Sequence, residues 1–317
     1  MIKSFSFLIV IIAAILFNIN SFSSICSADL RQISNLISIK LNLHFSRGPV
    51  HPDKPDQIMA AISHYKKVIL FGDSQFETSW RQDRGFAFAA GLANYYTRRA
   101  DVLNRGLSGY NTKWMQSQFN RILEELDRGH PDDLLLFIMW VGTNDCCIEG
   151  TPHHIPVEQF QANMRQYVSV IQSKYPRAGI LLVTPAPVSL SKMRLSSLRT
   201  KGADRTQAAH KTYSEAVLSC KFDNDNGSIK VINLFDAVMN AAGYSNTSDP
   251  STLDKSALVD EKQQIGKFTA DGLHLNGEGY KLLYTLVTKV LNEWQGFNPT
   301  SMEGVEPGWQ SKVTKSS

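Results

Sequence analysis

Four cysteines in a chain of 317 residues are too few to staple a fold of this size, so a hydrophobic core must hold it together. Charge of one sign is not in excess either. The 33 Lys and Arg face 29 Asp and Glu, a net charge of +4, and the cations are scattered instead of forming a stripe. That distribution speaks against a nucleic-acid partner. Also missing are a G-x-S-x-G elbow, a G-x-x-x-x-G-K phosphate loop, an H-E-x-x-H pair, a G-x-G-x-x-G turn and a C-x-x-C pair. Their absence argues against an α/β-hydrolase, an NTPase, a zincin, a dinucleotide enzyme and a dithiol redox site. No internal repeat divides the chain.

The apolar run from Phe7 to Phe17 follows Met1-Ile2-Lys3 and leads to Cys26-Ser27-Ala28. A basic start, a short apolar stretch and small residues at the end describe a signal peptide, residues 1–28, and the run is too short to span a bilayer comfortably. The expectation is a soluble, secreted mature protein without stable membrane insertion. Asn226-Gly-Ser and Asn246-Thr-Ser are N-glycan acceptor triplets usable in that compartment. Cleavage leaves Cys146, Cys147 and Cys220, which allow at most one bridge. Adjacent cysteines seldom pair with each other, so buried packing or one link to Cys220 is expected.

With 43% hydrophobic and 20% charged residues, the chain suits one large α/β domain with a closed core. Residues 29–65 carry Pro49, Pro52 and Pro55 and read as a lead-in. Strand-like runs then alternate with amphipathic stretches of helix length. The strands are Val68–Phe71, Val102-Leu103, Leu134–Met139, Ile180–Val183 and Val231–Leu234; helices are expected at about 84–98, 113–127, 157–174, 206–220 and 276–293. Continuous apolar runs suit strands buried on both faces of a parallel sheet, and their alternation with helices implies a three-layer α/β/α sandwich with a five-stranded parallel sheet. Residues 189–205 and 241–268 read as loops over the active face, the second with room for a short helix. The α/β domain is expected over 66–297, and Asn298–Ser317, with two prolines and no apolar periodicity, as a disordered tail.

In open parallel sheets ligands bind beyond the carboxyl ends of the strands, so the residues just after each strand matter most. The first strand ends in Gly72-Asp73-Ser74, the second is followed by Asn104–Gly109, and the third leads into Gly142-Thr143-Asn144-Asp145; near the end of the chain comes Asp271-Gly272-Leu273-His274. Acyl transfer needs a nucleophile, a base, an orienter for the base and donors for the developing oxyanion. Ser74, where a strand breaks into a loop, can expose its hydroxyl at the top of the sheet. His274 can take its proton, and Asp271 can fix the imidazole tautomer. The N–H groups of Ser74 and Gly109 and the Asn144 amide would form the oxyanion hole, with Asp145 in a structural role. The bland readings are turns and helix caps, and they lose ground because all four segments occur together. Elsewhere His153-His154 lack partners at zinc spacing and read as loop packing. Asp223–Gly227 reads as a turn and not as a calcium loop. Trp80, Phe86 and Trp114 read more readily as core than as an acyl pocket.

In order, spacing and context these four blocks resemble those of the SGNH/GDSL hydrolase family, and within it the isoamyl acetate-hydrolysing esterase group. The stretches Val102–Thr112, His154–Glu158 and Asp271–Leu275 carry the likeness, which covers about residues 67–293. Gly142-Thr-Asn-Asp145 stands where the group usually shows Gly-Ala-Asn-Asp, and residues 189–205 and 241–268 have no clear counterpart. The resemblance implies a flavodoxin-like sandwich and a serine esterase with Ser74 as nucleophile, Asp271 and His274 as acid and base, and Gly109 and Asn144 in the oxyanion hole. It implies no cofactor and no metal. The substrate would be a small-molecule or carbohydrate ester, with short acyl chains first, polysaccharide acetyl esters or lysophospholipids as alternatives, and a non-catalytic binding module as the rival from another class.

Overall fold

Five parallel strands form the centre of the molecule: β1 (Lys66–Gly72), β2 (Ala100–Gly106), β3 (Leu134–Trp140), β4 (Gly179–Val183) and β5 (Ile229–Ile232), in the spatial order β2-β1-β3-β4-β5. The computed structural model describes residues 65–130, 132–196, 204–223, 225–244, 264–302, 304 and 305. The expected signal peptide and lead-in, Asn246 and most of the 241–268 loop fall outside them.

The apolar strand runs have no polar alternation because both faces are covered. Along β1, Val68 and Leu70 enter one core while Ile69 and Phe71 enter the other, the two-residue period of a pleated strand. The first core is closed by α2 (Phe88–Tyr95), α7 (Leu234–Ala241) and α8 (Gly277–Glu293), through Phe88, Leu92, Phe235, Leu283 and Val287. The second is closed by α3 (Met115–Leu126), α4 (Val157–Lys174) and α6 (Gln207–Ser219), through Phe119, Met164, Ile171 and Val217. Each fully buried side chain of this kind contributes about 1.5–3 kcal/mol, which is how a chain with almost no cysteine holds its shape. Two short helices, α1 (Ser74–Glu77) and α5 (Leu190–Leu195), lie in segments with no helical periodicity.

The helices agree with the periodicity to within a few residues, with three differences. The run Val231–Leu234 does not continue as a strand: Asn233 caps α7 by accepting from the Asp236 N–H, and Leu234 opens that helix. Residues 189–205 are not wholly loop, since α5 occupies their first third. The tail is not disordered from Asn298. Its side chain caps a 3₁₀ turn, Pro299–Ser301, the Arg99 guanidinium donates to the Pro299 carbonyl, and Met302 packs on the first core. Among the described residues no helix is long and apolar enough to cross a membrane.

The strand order reverses at β1, whose neighbours β2 and β3 carry the chain off in opposite directions. The crevice at such a switch point is where open α/β sheets bind ligands. Ser74, Gly109 and Asn144 follow the carboxyl ends of β1, β2 and β3, the three strands that meet there.

Candidate active site

β1 ends at Gly72, and a sharp turn starts α1 at Ser74. Asp73 makes the turn by capping the helix, its Oδ1 accepting from the Gln75 N–H at 2.9 Å. Thr78 Oγ1 donates to the Ser74 carbonyl at 2.8 Å and ties off the first turn. Ser74 does not stand exposed, as its place in the sequence suggested. It is only 5% exposed, and the turn that carries it is the floor on which the rest of the site is built.

From the far end of the chain, Asp271–His274 folds over this floor as a tight loop. Asp271 Oδ1 accepts the N–H groups of Leu273 and His274, at 3.0 and 2.9 Å, which leaves Oδ2 to face the imidazole. His274 Nδ1 lies 2.7 Å from Asp271 Oδ2, and His274 Nε2 lies 2.9 Å from Ser74 Oγ. Burial raises the Asp271 pKa, but the hydrogen bond and charge of His274 and the two loop N–H groups outweigh it and hold the carboxyl at about 2. An ionised Asp271 requires the proton on Nδ1, so Nε2 is the nitrogen free to accept from Ser74.

The opposite wall comes from the segments after β2 and β3. The Leu107 N–H donates to the Gly72 carbonyl at 2.9 Å and the Ser108 N–H to Glu77 Oε2 at 2.6 Å, which brings Gly109 alongside. Gly109 has φ +80°, a conformation that disfavours any side chain. Among the described residues, the N–H groups of Ser74 and Gly109 donate to no protein acceptor. The Asn144 amide gives one N–H to the Tyr110 carbonyl at 2.9 Å, while its oxygen accepts from Arg205 Nη2 at 3.1 Å. The second Asn144 N–H is thereby left to the crevice. Asp145 turns away and accepts from the Thr112 N–H at 2.9 Å and from its hydroxyl. Burial pushes the carboxyls of Asp145 and Asp73 up, to about 7 and about 6.

A serine hydroxyl 2.9 Å from an imidazole, and that imidazole 2.7 Å from an ionised carboxylate, form a hydrogen-bonded chain of the kind acyl transfer uses. The family model described as GDSL-like lipase/acylhydrolase matches residues 68–287. The chain belongs to this family. It is a carboxylic ester hydrolase, and the family's name spells Gly-Asp-Ser-Leu where this GDSL hydrolase has Gly72-Asp73-Ser74-Gln75. It is 28% identical to the isoamyl acetate-hydrolyzing esterase of Saccharomyces cerevisiae over 78% of this chain and 94% of that protein. It is 27% identical to the human isoamyl acetate-hydrolyzing esterase 1 homolog, over 70% of this chain and 79% of that one. Among solved structures, a lipase/acylhydrolase from Enterococcus faecalis superposes with a TM-score of 0.50 at 18% identity, covering 76% of this chain and all of that one, and so shares the fold.

Of the residues picked out from the sequence, Ser74, His274 and Asp271 are joined by hydrogen bonds, while Gly109 and Asn144 lie on two segments linked by the bond from Asn144 to Tyr110, and three further residues brace these parts. Arg205 is buried and grips both Asn144 and the Thr143 carbonyl. Gln75 and Glu77 reach from α1 to opposite walls of the crevice. Their signal was hidden: Gln75 and Glu77 look like ordinary residues of a polar turn, and Arg205 sits in a basic segment without periodicity. Cys146, Cys147 and Cys220 are buried, and Cys146 and Cys220 are free thiols, so the expected link to Cys220 is absent. His154 Nδ1 lies 2.6 Å from the Cys147 carbonyl, and Asp225 and Asn226 each accept an N–H two residues on, as turn formers do. Phe86 packs on Tyr284, whereas Trp80 and Trp114 are exposed, against the expectation of core. His210 is fully buried, which pushes its imidazole down to about 3 and keeps it neutral.

Proposed function

We propose that the protein is a secreted esterase that hydrolyses short-chain acyl esters, acetyl esters foremost, through an acyl-enzyme on Ser74. The relay Asp271–His274–Ser74 carries this reading. Ser74 Oγ attacks the ester carbonyl as His274 Nε2 takes its proton, and the oxyanion that forms meets the N–H groups of Ser74, Gly109 and Asn144. The C–O bond to the alcohol breaks as His274 returns the proton to the leaving oxygen. Water then attacks the acyl-enzyme, giving its proton to His274. The carboxylic acid departs as Ser74 regains its hydrogen. Asp271 holds the imidazolium in both halves.

The names of the yeast and human relatives support an acetate ester as substrate. The signal-like start, Met1 to Ala28, supports secretion. A second reading, acetyl groups on a polysaccharide, is favoured by the exposed rings of Tyr110 and Trp114, 6.3 Å apart on the segment that anchors Asn144, where a sugar ring could stack. The test is kcat/KM for p-nitrophenyl esters of increasing chain length, beside acetylated xylan, pectin and a lysophospholipid. A maximum at acetate is expected. A maximum at eight or more carbons overturns the short-acyl reading, and faster release of acetate from xylan than from p-nitrophenyl acetate selects the second. N-terminal sequencing of material from the medium should begin near Asp29; an intact Met1 in a membrane fraction overturns secretion.

A further inference from the structure

We propose that Gln75 is a positioning residue for the histidine, a strand surrogate that pins His274 against Ser74. The proposal rests on the roles given above to Ser74 and His274. The Gln75 side chain donates from Nε2 to the Leu273 carbonyl at 2.9 Å and accepts at Oε1 from the Leu275 N–H at 3.2 Å. A residue in a parallel ladder bonds its neighbour strand in the same way, to the carbonyl before and the N–H after one opposing residue. Here the opposing residue is His274, and the surrogate sits next to the nucleophile in sequence. The distance from serine to imidazole is therefore set by one side chain, across 198 to 200 residues of chain.

Three observations make this more than incidental packing. Gln75 is 1% exposed, so its two hydrogen bonds are shielded from competing water. Its main chain is gripped as well. The Tyr280 hydroxyl donates to the Gln75 carbonyl at 2.5 Å and sits 2.9 Å from Thr78 Oγ1, so α8, which begins just after the histidine, is tied to the same turn. The other side of the loop is closed by the Ala270 N–H, which donates to the His274 carbonyl at 2.7 Å. The loop is thus bracketed, with Gln75 as the bracket on the serine's side. The Leu of the family's name at this place could make neither bond.

Gln75→Met in the full chain keeps the length of the side chain and removes both bonds, and an apolar residue at this place is compatible with the family fold. With p-nitrophenyl acetate, kcat should fall about 10- to 100-fold, the range expected when a base is misplaced by up to 1 Å, with KM within about twofold. The rate constant for labelling Ser74 with a fluorophosphonate should fall by the same factor, while thermal unfolding stays cooperative. Wild-type kcat and labelling in folded Gln75→Met overturn the proposal. Gln75→Glu gives a second reading, and decides the matter if the Met variant does not fold. A protonated Glu can donate to Leu273 and accept from Leu275, whereas an ionised one cannot donate. The ratio of its kcat to that of wild type should rise as pH falls from 8 to 5, and a flat ratio near one overturns the proposal. Failure of the functional reading looks different, because wild type would then turn over no ester, while the effect of Gln75 would still be read in the labelling of Ser74.

Discussion

Among the described residues Ser74 Oγ has a single hydrogen-bond partner, the His274 imidazole, so Ser74→Ala should abolish turnover and change stability by less than about 1 kcal/mol. Activity equal to wild type in that variant would mean another nucleophile. Asn144 differs in kind, since Tyr110 and Arg205 fix its amide before substrate arrives. Removing one preorganised oxyanion donor costs about 10²–10³ in kcat, so Asn144→Ala should show that loss with a smaller change in KM, and a rise in KM alone would make Asn144 a ground-state contact. Asp271→Asn retains Oδ1 for the two loop N–H groups but turns a donor toward Nδ1. The wrong tautomer should cost up to about 10⁴ in kcat, and a loss under tenfold would leave a Ser-His dyad. These residues were legible in the sequence because each lies beside a strand end or in a tight loop of its own. Arg205 was not, because its value arises only when a residue 61 positions away is brought against it.

At the scale of elements, the four-residue helix α1 is too short to be stable by itself and is held from outside. Asn104 donates to the Phe76 carbonyl at 2.6 Å, and β2 ends at Gly106 directly against the turn. A Cβ on Gly106 would lie 2.3 Å from the Glu77 nitrogen and 2.8 Å from the Asp73 carbonyl oxygen, both of them backbone. Gly106→Ala should therefore push α1 off the end of β1, destabilise the protein by about 3 kcal/mol or more, and lower kcat in whatever remains folded. Calorimetry with an ester assay checks both; an unperturbed Gly106→Ala would show that the turn has slack. The long helices and the strands were readable from periodicity alone because a sheet buried on both faces leaves few alternatives for a continuous apolar run. α1, α5 and α7 were not, since a short helix is specified by a cap or a tertiary contact and leaves no repeat to count. Asn233, which ends β5 and caps α7, is such a case.

On the scale of the whole molecule, Asp73 and Asp145 make stability depend on pH. Each binds its proton more tightly in the folded protein than in the unfolded chain, where carboxyls titrate near 3.8. Between pH 4 and 7 the unfolded chain is ionised while the native one retains protons, so stability falls as pH rises through that window and levels off above it. Asp271 works in the opposite sense and lower down, its contribution being lost as pH falls from about 4 to about 2. The thermal midpoint should accordingly be higher at pH 5 than at pH 8. Asp145→Asn, which keeps the acceptor for Thr112, should flatten that slope, and an unchanged slope would place the titrating groups elsewhere. The 200 residues between Ser74 and His274 also set a timetable. At about 5–20 residues per second, synthesis leaves the serine without its base for roughly 10–40 s. During that interval the nascent hydrolase is chemically silent toward the esters of the cell that makes it, and a ribosome-bound chain stalled before Asp271 should take up no fluorophosphonate.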